Sequence, residues 1–202
     1  MAHYFESPAR GLAAGERAQE VPLRIGGREV RLATAPGVFS GSRVDPGTTV
    51  LLDTVDFSDR HGDLLDIGCG YGPLSLTMAS FAPDATVWAV DVNDRALELC
   101  RANAQRLGLN NVRVCRPEDV PAEIRFRFVC SNPAIRIGKP KLHAMLSHWL
   151  GRLEPDGEAY LVVQRNLGSD SLHRWLVEQG WPTTRVTSVH GYRVLQCLPR
   201  HP

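Results

Sequence analysis

From residue 63 onward, short apolar runs alternate with longer stretches in which apolar residues recur at helical spacing. The short runs predict strands at residues 63–67, 86–91, 111–115, 126–131 and 158–164. The longer stretches predict helices at residues 73–82, 93–108, 140–152 and 169–179. Strands that alternate with helices are typical of a parallel sheet covered on both faces. The pattern therefore predicts an α/β fold.

The N-terminal part of the chain shows a different pattern. Apolar and polar residues alternate on both sides of a two-glycine turn at residues 26–27, which predicts a β-hairpin. Residues 34–47 are rich in glycine, proline and serine and predict a loop, and a short helix is expected at 48–55. We expect residues 1–47 to form an N-terminal extension that packs on a core domain at residues 48–202, within one structural domain.

The C-terminal part also changes character. Residues 183–189 and 192–198 are strand-like and flank a His-Gly pair at 190–191, which predicts two strands joined by a tight turn. Together with the five strands predicted upstream, these two would complete a sheet of seven.

Composition narrows the class of protein. At 202 residues the chain suits one domain with a sizeable core, and its net charge of +1 argues against tight, nonspecific nucleic-acid binding without excluding a local basic patch. Its five cysteines form neither a CxxC pair nor a Cys/His ligand pattern, so no metal site is predicted and a reducing compartment is favoured. Because neither a signal peptide nor a membrane span is evident, we expect a cytoplasmic protein, and we favour a monomer.

Residues 64–72, with the sequence LLDIGCGYG, carry the most informative pattern. An apolar strand containing Asp66 runs into three alternating glycines, Gly68, Gly70 and Gly72, before a predicted helix. Glycine allows a sharp turn and a close ligand approach because no Cβ is in the way. Dinucleotide enzymes space such glycines as GxGxxG, whereas the spacing here is GxGxG.

A second acid, Asp91, ends the next predicted strand. An acid at this point can accept hydrogen bonds from both hydroxyls of a ribose. Capping of the following helix is the other role open to Asp91, although Asn93 is the better cap because it stands directly before the helical stretch.

These features resemble motif I of class I methyltransferases that use S-adenosylmethionine (SAM). The resemblance implies a Rossmann-like fold with a mostly parallel seven-stranded sheet, an antiparallel last strand and helices on both faces, here with the N-terminal β-hairpin added. Asp66 would orient the amino-acid end of SAM or hold the loop through backbone amides, and Asp119 would bind the adenine amino group, with Glu118 as the competing candidate and an exposed turn acid as the alternative. The implied SAM-binding residues are Phe39, Asp66, Gly68, Cys69, Gly70, Gly72, Asp91, Val92, Asp119 and Asn132.

Residues 131–135, Ser-Asn-Pro-Ala-Ile, resemble the Asn-Pro-Pro-aromatic motif of methyltransferases that modify planar nitrogens. An amine conjugated to a base is a poor nucleophile because its lone pair is delocalised. The resemblance implies that the Asn132 side-chain oxygen and the Pro133 carbonyl each accept one N–H and aim the lone pair at the methyl group. Ala134 and Ile135 depart from the motif, although Ile135 can contact a base without stacking. A plain turn is the alternative for Asn132 and Pro133.

Further segments narrow the resemblance to one group. These segments are residues 3–5, 37–40, 44–48 and 135–139. They are similar to small-domain methyltransferases related to ribosomal RNA small subunit methyltransferase C, which methylates guanine N2. The resemblance implies this reaction on small-subunit ribosomal RNA, with Asn132, Pro133 and Ile135 as the catalytic residues. Phe39 would close over the cofactor or simply pack between hairpin and helix.

Three cations follow this motif and could contact RNA phosphates: Arg136, Lys139 and Lys141. For each of them alone, ordinary solvated charge is the alternative. Two other functions stay open for the whole chain. One is methylation of a protein glutamine amide or of adenine in DNA or RNA. The other, motivated by Ala134 and Ile135, is a SAM-binding RNA chaperone or assembly factor with little or no catalysis.

Overall fold

The computed structural model describes residues 19–38 and 43–200, and these residues form two β-sheets flanked by helices. The strands are β1 (Gln19–Ile25), β2 (Arg28–Thr34), β3 (Asp63–Ile67), β4 (Thr86–Val90), β5 (Val112–Cys115), β6 (Phe126–Ser131), β7 (Leu153–Gln164), β8 (Thr183–Val189) and β9 (Tyr192–Cys197). The α-helices are α1 (Pro46–Thr54), α2 (Pro73–Phe81), α3 (Asp94–Arg106), α4 (Lys139–Leu150) and α5 (Ser169–Glu178). Short 3₁₀ turns lie at Pro117–Asp119, Ile135–Ile137 and Arg165–Leu167.

The larger sheet has seven strands in the order β5-β4-β3-β6-β7-β9-β8, and β1 and β2 form a separate antiparallel hairpin. The pairings from β5 to β7 are parallel, whereas β9, the last strand of the chain, runs antiparallel to both β7 and β8. The predicted fold class is therefore confirmed: a mostly parallel seven-stranded sheet with an antiparallel last strand and an N-terminal hairpin.

Helices cover both faces of this sheet. Leu64 of β3 packs with Met78 of α2 in one core cluster, whereas the next residue, Leu65, packs with Leu146 of α4 and Leu172 of α5 in another. Neighbouring residues of a strand point to opposite faces. The apolar strand runs of the sequence are therefore explained by burial on both sides of the sheet.

The start of β7 was predicted wrongly. The strand begins at Leu153 instead of residue 158, so it includes Pro155 and Gly157, two residue types that are uncommon inside strands. The pairing of β6 with β7 shifts register between Phe126 and Phe128. A Cβ at Gly157 would lie 2.7 Å from the Phe126 carbonyl oxygen, so the two backbones approach too closely there for any other residue.

Helix α1 also begins earlier than predicted, at Pro46 instead of residue 48. The Asp45 side chain is its N-cap, and Asp45 Oδ1 accepts hydrogen bonds from the backbone nitrogens of Gly47 at 2.8 Å and Thr48 at 3.2 Å. An aspartate followed by proline at the first helical position is a typical helix start. The cap therefore extends the helix into the predicted loop.

One buried polar side chain joins the hairpin to the rest of the fold. Asn103 of α3 is 1% exposed, accepts a hydrogen bond from the Ala33 nitrogen at 2.8 Å, and donates to the Ala33 oxygen at 2.9 Å. It also donates to the Tyr71 oxygen at 3.0 Å, in the loop between β3 and α2. Around it, Leu32 and Ala96 belong to one hydrophobic cluster with Tyr71. Asn103 thus ties β2 and α3 to the glycine loop.

We expect the Asn103→Ala change to lower the free energy of unfolding by about 2 kcal/mol, because buried backbone groups of Ala33 and Tyr71 would lose their partner. Chemical denaturation followed by circular dichroism measures this loss. Asn110→Ala, at an exposed position just after α3, is the matched control. Equal stability of the two variants would show that Asn103 contributes nothing to the fold.

The division of the chain at residues 47 and 48 remains a prediction, and residues 1–18 lie outside the described part. All five cysteines lie within that part and are free thiols. Of the helices described, none combines the length and the apolar character needed to cross a membrane.

Candidate active site

Four neighbouring parallel strands, β5, β4, β3 and β6, end at the same edge of the sheet, where open α/β sheets bind their ligands. The loops that follow these strands carry most of the predicted site residues. The Ser131 hydroxyl, at the end of β6, donates to the Ile67 carbonyl at the end of β3 at 2.7 Å. The two central loops therefore start from strands that are fixed to each other.

The glycine loop after β3 divides into an open part and a packed part. Gly68 and Gly70 have φ values of 77° and 56°, and a Cβ on either would meet no atom within 4 Å. A Cβ on Gly72, in contrast, would lie 2.9 Å from Cys100 Sγ. The first two glycines therefore present bare backbone to open space, whereas Gly72 lets the start of α2 pack against α3.

Asp66 lies beneath this loop and is 1% exposed. Its Oδ2 accepts hydrogen bonds from the Ser75 hydroxyl and, at 3.0 Å, from the Ser75 nitrogen. Its Oδ1 is buried and has no hydrogen-bond partner among the described residues. Burial, with a smaller contribution from the charge of Asp91, raises the pKa of Asp66 to about 7. Oδ1 is thus an acceptor that lacks a donor.

Asp91 follows β4 and holds the glycine loop from the other side. Its Oδ2 accepts a hydrogen bond from the Gly70 nitrogen, and its Oδ1 accepts one from the Asn93 nitrogen, both at 2.9 Å. Burial raises the pKa of Asp91, and these backbone hydrogen bonds oppose the rise. Asn93 is the N-cap of α3, as the sequence predicted, so helix capping does not occupy Asp91. Each carboxylate oxygen accepts one of these two hydrogen bonds, and a carboxylate has about four acceptor sites in all.

The other predicted cofactor residues lie in different surroundings. Val92 is 46% exposed at the end of β4 and offers an apolar surface beside Asp91. The Cys69 side chain is buried in a cluster with Ala89 and Cys100, so only its main chain faces the loop's open side.

The 3₁₀ turn after β5 carries the two acids that are candidates for binding the adenine amino group. Asp119 is exposed, and its Oδ2 accepts a hydrogen bond from the Arg116 nitrogen at 3.3 Å. Glu118, also exposed, lies 3.8 Å from the Arg116 guanidinium. Both carboxylates remain candidates. Phe39 lies outside the described residues.

The Asn132 side chain is held by two residues at the start of α1. Its Nδ2 donates to Asp45 Oδ1 at 2.6 Å and to Thr48 Oγ1 at 3.0 Å. Both N–H groups of the amide are therefore used within the protein, and the side-chain oxygen is left to accept. Asn132 itself is half-buried, which leaves part of it accessible to a ligand.

The residues after Asn132 shape the loop. Pro133 is buried, and Ala134 precedes the 3₁₀ turn that contains Ile135. The Ile135 side chain is half-buried against the core cluster that includes Leu142 of α4. The position at which the resembled motif carries an aromatic ring is thus partly packed into the protein.

The three cations predicted to contact RNA follow the Asn132 loop in the chain. Lys139 and Lys141 are exposed in the first turn of α4, and Arg136 lies in the preceding 3₁₀ turn. We call Arg136, Lys139 and Lys141 the positive rim.

Comparison with known protein families shows to which family the chain belongs. Residues 29–196 match the family model described as Methyltransferase small domain. The chain belongs to the methyltransferase small domain family. This family consists of class I methyltransferases, and its cofactor is SAM.

Similarity to individual proteins supports the family assignment. The uncharacterized protein YbxB of Bacillus subtilis is 32% identical over 96% of this chain and 96% of its own length. Ribosomal RNA small subunit methyltransferase C of Hamiltonella defensa is 36% identical over 52% of this chain but only 31% of its own. A solved structure of the T. thermophilus 16S rRNA N2 methyltransferase RsmC, in complex with AdoMet and guanosine, superposes with a TM-score of 0.80. It is 26% identical, and the match covers 96% of this chain and 53% of that one.

The geometry of this methyltransferase fits SAM. The buried, unpartnered Oδ1 of Asp66 suits an ammonium group, and Asp91 has lone pairs for ribose hydroxyls. The open space at Gly68 and Gly70 leaves room for the cofactor beside the backbone of the loop. We expect Asp66, Asp91 and the glycine loop to hold SAM.

The pKa of Asp66 predicts a pH dependence for SAM binding. Because the carboxylate must be ionised to pair with an ammonium group, affinity should fall about fivefold to tenfold between pH 7.5 and 6. The stability of the SAM-free protein changes with pH in the opposite direction. Because the folded-state pKa of Asp66 is raised to about 7, its contribution to the free energy of unfolding is complete below its unfolded pKa and is lost as pH rises through 7. Calorimetric titration of SAM across this range tests the first effect, with Asp66→Asn as the control that should remove it. Parallel profiles for both proteins would contradict it.

Sequence reasoning missed three polar residues of this methyltransferase site. Ser75 of α2 binds Asp66, and Thr48 of α1 binds Asn132. Asp45 and Thr48 were noted only as part of the family-like segment at residues 44–48, and the cap motif of Asp45 was the available signal. Its contact with Asn132, 87 residues away, left no local pattern.

Proposed function

We propose that this methyltransferase transfers the methyl group of SAM to the exocyclic N2 amine of a guanine in small-subunit ribosomal RNA. The names of its relatives support this substrate, since several are ribosomal RNA small subunit methyltransferases C. The T. thermophilus relative was solved with guanosine. Those relatives are longer than this chain, so the substrate is inferred from part of their length.

The orientation of the Asn132 amide carries the proposal. SAM supplies an electrophilic methyl group on a sulfonium sulfur. With both amide N–H groups bound to Asp45 and Thr48, the Asn132 oxygen can accept one N–H of the guanine amine. The Pro133 carbonyl is available for the other N–H. An amine held in this way aims its lone pair at the methyl carbon.

The bond changes balance without a strong base. A nitrogen–carbon bond forms as the sulfur–carbon bond breaks, and the sulfonium charge passes to the amine. The methylated amine then releases one proton to water, which restores a neutral base. The site therefore acts by positioning and electrostatics, and no nucleophilic side chain is required.

Binding of the RNA is assigned to the positive rim. Arg136, Lys139 and Lys141 would meet phosphates on either side of the target base. The partner is then ribosomal RNA or the small ribosomal subunit, and the location of the protein is the cytoplasm.

Direct analysis of the product tests the proposal. The protein and labelled SAM are incubated with small subunits and with deproteinised ribosomal RNA, both from cells lacking this protein, and nucleosides are identified by mass spectrometry. We expect N2-methylguanosine, formed on one of the two substrates. Label in adenosine, or in a glutamine amide of a protein, would replace the proposal with the corresponding substrate.

A null result would favour the non-catalytic RNA chaperone. The half-buried Ile135 gives that alternative a structural basis, because no aromatic ring is available there for stacking. The Ile135→Phe change separates the two cases. A large gain in turnover would show an impaired native site, whereas unchanged turnover would show that the transfer does not need the ring.

A further inference from the structure

Asp45 lies behind Asn132, at the N-terminus of α1. Its Oδ1 accepts a hydrogen bond from Asn132 Nδ2 at 2.6 Å, and Thr48 Oγ1 accepts the second one from the same nitrogen at 3.0 Å. The geometry points to Asp45, assisted by Thr48, as a positioning residue that sets the orientation of the Asn132 amide for catalysis. This inference rests on the proposed function, because it assigns Asp45 a part in the same transfer.

A carboxylate fixes this orientation in a way that other partners do not. The two ends of an asparagine amide have the same shape, but one end only donates and the other only accepts. An ionised carboxylate only accepts, so Asp45 must face the nitrogen of Asn132 and the amide oxygen must point elsewhere. A flipped amide would place oxygen against oxygen at Asp45 and would turn two donors toward the amine of the substrate. Such a site could not accept the N–H of an amine.

The start of α1 holds Asp45 rigidly. The same Oδ1 accepts hydrogen bonds from the backbone nitrogens of Gly47 at 2.8 Å and Thr48 at 3.2 Å, so the carboxylate that binds Asn132 is also the helix cap. There is no spare room in this turn. A Cβ on Gly47 would lie 2.9 Å from the Tyr192 ring and 3.0 Å from Asp45 Oδ1.

The charge of Asp45 adds an electrostatic effect. A carboxylate that accepts from one end of an amide polarises it, which makes the oxygen at the other end a stronger acceptor. Methyl transfer also places positive charge on the amine, which a nearby anion stabilises. Burial, with a smaller contribution from the charge of Asp45, raises the pKa of Tyr71 to about 12. Asp45 is thus expected to affect turnover more than binding.

Two substitutions separate positioning from helix capping. Serine and asparagine are both good N-caps, so Asp45→Ser and Asp45→Asn should keep α1 intact. Serine is too short to reach Asn132, and we expect kcat to fall about tenfold to a hundredfold while the KM for RNA and the affinity for SAM change little. Asparagine can still accept from Asn132 and should restore part of kcat. Asp53→Ser, at an exposed position of the same helix, is the control and should behave as the wild type.

A second readout does not depend on methyl transfer. In ¹⁵N-labelled protein, the side-chain amide of Asn132, assigned by its loss in Asn132→Ala, should exchange slowly with water. We expect faster exchange and a shifted signal in Asp45→Ser, but not in Asp53→Ser. Unchanged amide signals in Asp45→Ser would overturn the inference, and so would altered signals with unchanged kcat.

The two readouts also distinguish failure of the inference from failure of the proposed function. If the wild type methylates no ribosomal RNA, the proposed substrate is wrong, and the amide exchange alone then decides whether Asp45 holds Asn132. If the wild type is active and Asp45→Ser equals it in both readouts, only the positioning role is refuted.

Discussion

Replacement of Asn132 by alanine is expected to lower the rate of methyl transfer about a hundredfold to a thousandfold, the usual cost of removing one preorganised group from a transition-state site. The change removes the acceptor that holds the amine and leaves the SAM contacts of Asp66 and Asp91 in place. Affinity for SAM should therefore stay near that of the wild type. Single-turnover transfer, measured beside calorimetric titration of SAM, separates the two quantities.

The control for this prediction is the exposed Asn110→Ala, which should change neither quantity. Asn132→Ala also frees Asp45 and Thr48, so the unfolding transition must be compared as well. If SAM binding were lost together with transfer, Asn132 would support the fold of the site instead of acting on the amine. The plain-turn interpretation of Asn132 and Pro133 would then be correct.

The sequence predicted the sheet well because its strands are buried on both faces. Leu64 and Leu65 contact different core clusters, so apolar residues stand next to each other in the strand instead of alternating with polar ones. The first residues of β7 and α1 were harder to predict, because tertiary contacts at Gly157 and Asp45 help to set them. Gly157 lies in the part of β7 that the prediction left out and allows β6 and β7 to approach, and Asp45 both caps α1 and binds Asn132.

The order of the strands did not follow from periodicity. Adjacent strands in the chain are not always adjacent in the sheet, since β4 and β3 lie between β5 and β6, and β9 lies between β7 and β8. The resemblance to class I methyltransferases implied only a mostly parallel sheet with an antiparallel last strand. The positions of Asp66, Asp91 and Asn132 at one edge follow from it, because parallel strands end together.

Contacts between distant residues could not be predicted. Asn103 appeared as a polar residue within an amphipathic helix, and only the structure shows that it binds the backbones of Ala33 and Tyr71. Ser75 likewise gave no signal of its contact with Asp66. Hydrogen bonds of this kind depend on how elements pack, and a single sequence contains no pattern for them.

Replacement of Asp91 by alanine is expected to weaken SAM binding about a hundredfold, since hydrogen bonds from two ribose hydroxyls to a carboxylate are worth about 3 kcal/mol together. The structure adds a second reason. Asp91 Oδ2 accepts from the Gly70 nitrogen at 2.9 Å, so its loss also releases the loop that faces the cofactor. Calorimetric titration of SAM gives the affinity, and Asp84→Ala, an exposed acid before β4, is the matched control.

The two contributions of Asp91 can be told apart by ligand. Adenine alone carries no ribose, so in Asp91→Ala its affinity should fall only by the effect of the disturbed loop. The affinities of adenosine and SAM should fall by the full hundredfold. Equal losses for adenine and SAM would assign Asp91 to the loop alone. Unchanged SAM affinity would exclude both roles and leave its hydrogen bonds to Gly70 and Asn93 as local structure without effect on the cofactor. A graded loss, largest for the ligands that contain ribose, is the result that follows from a carboxylate with free lone pairs at the end of β4.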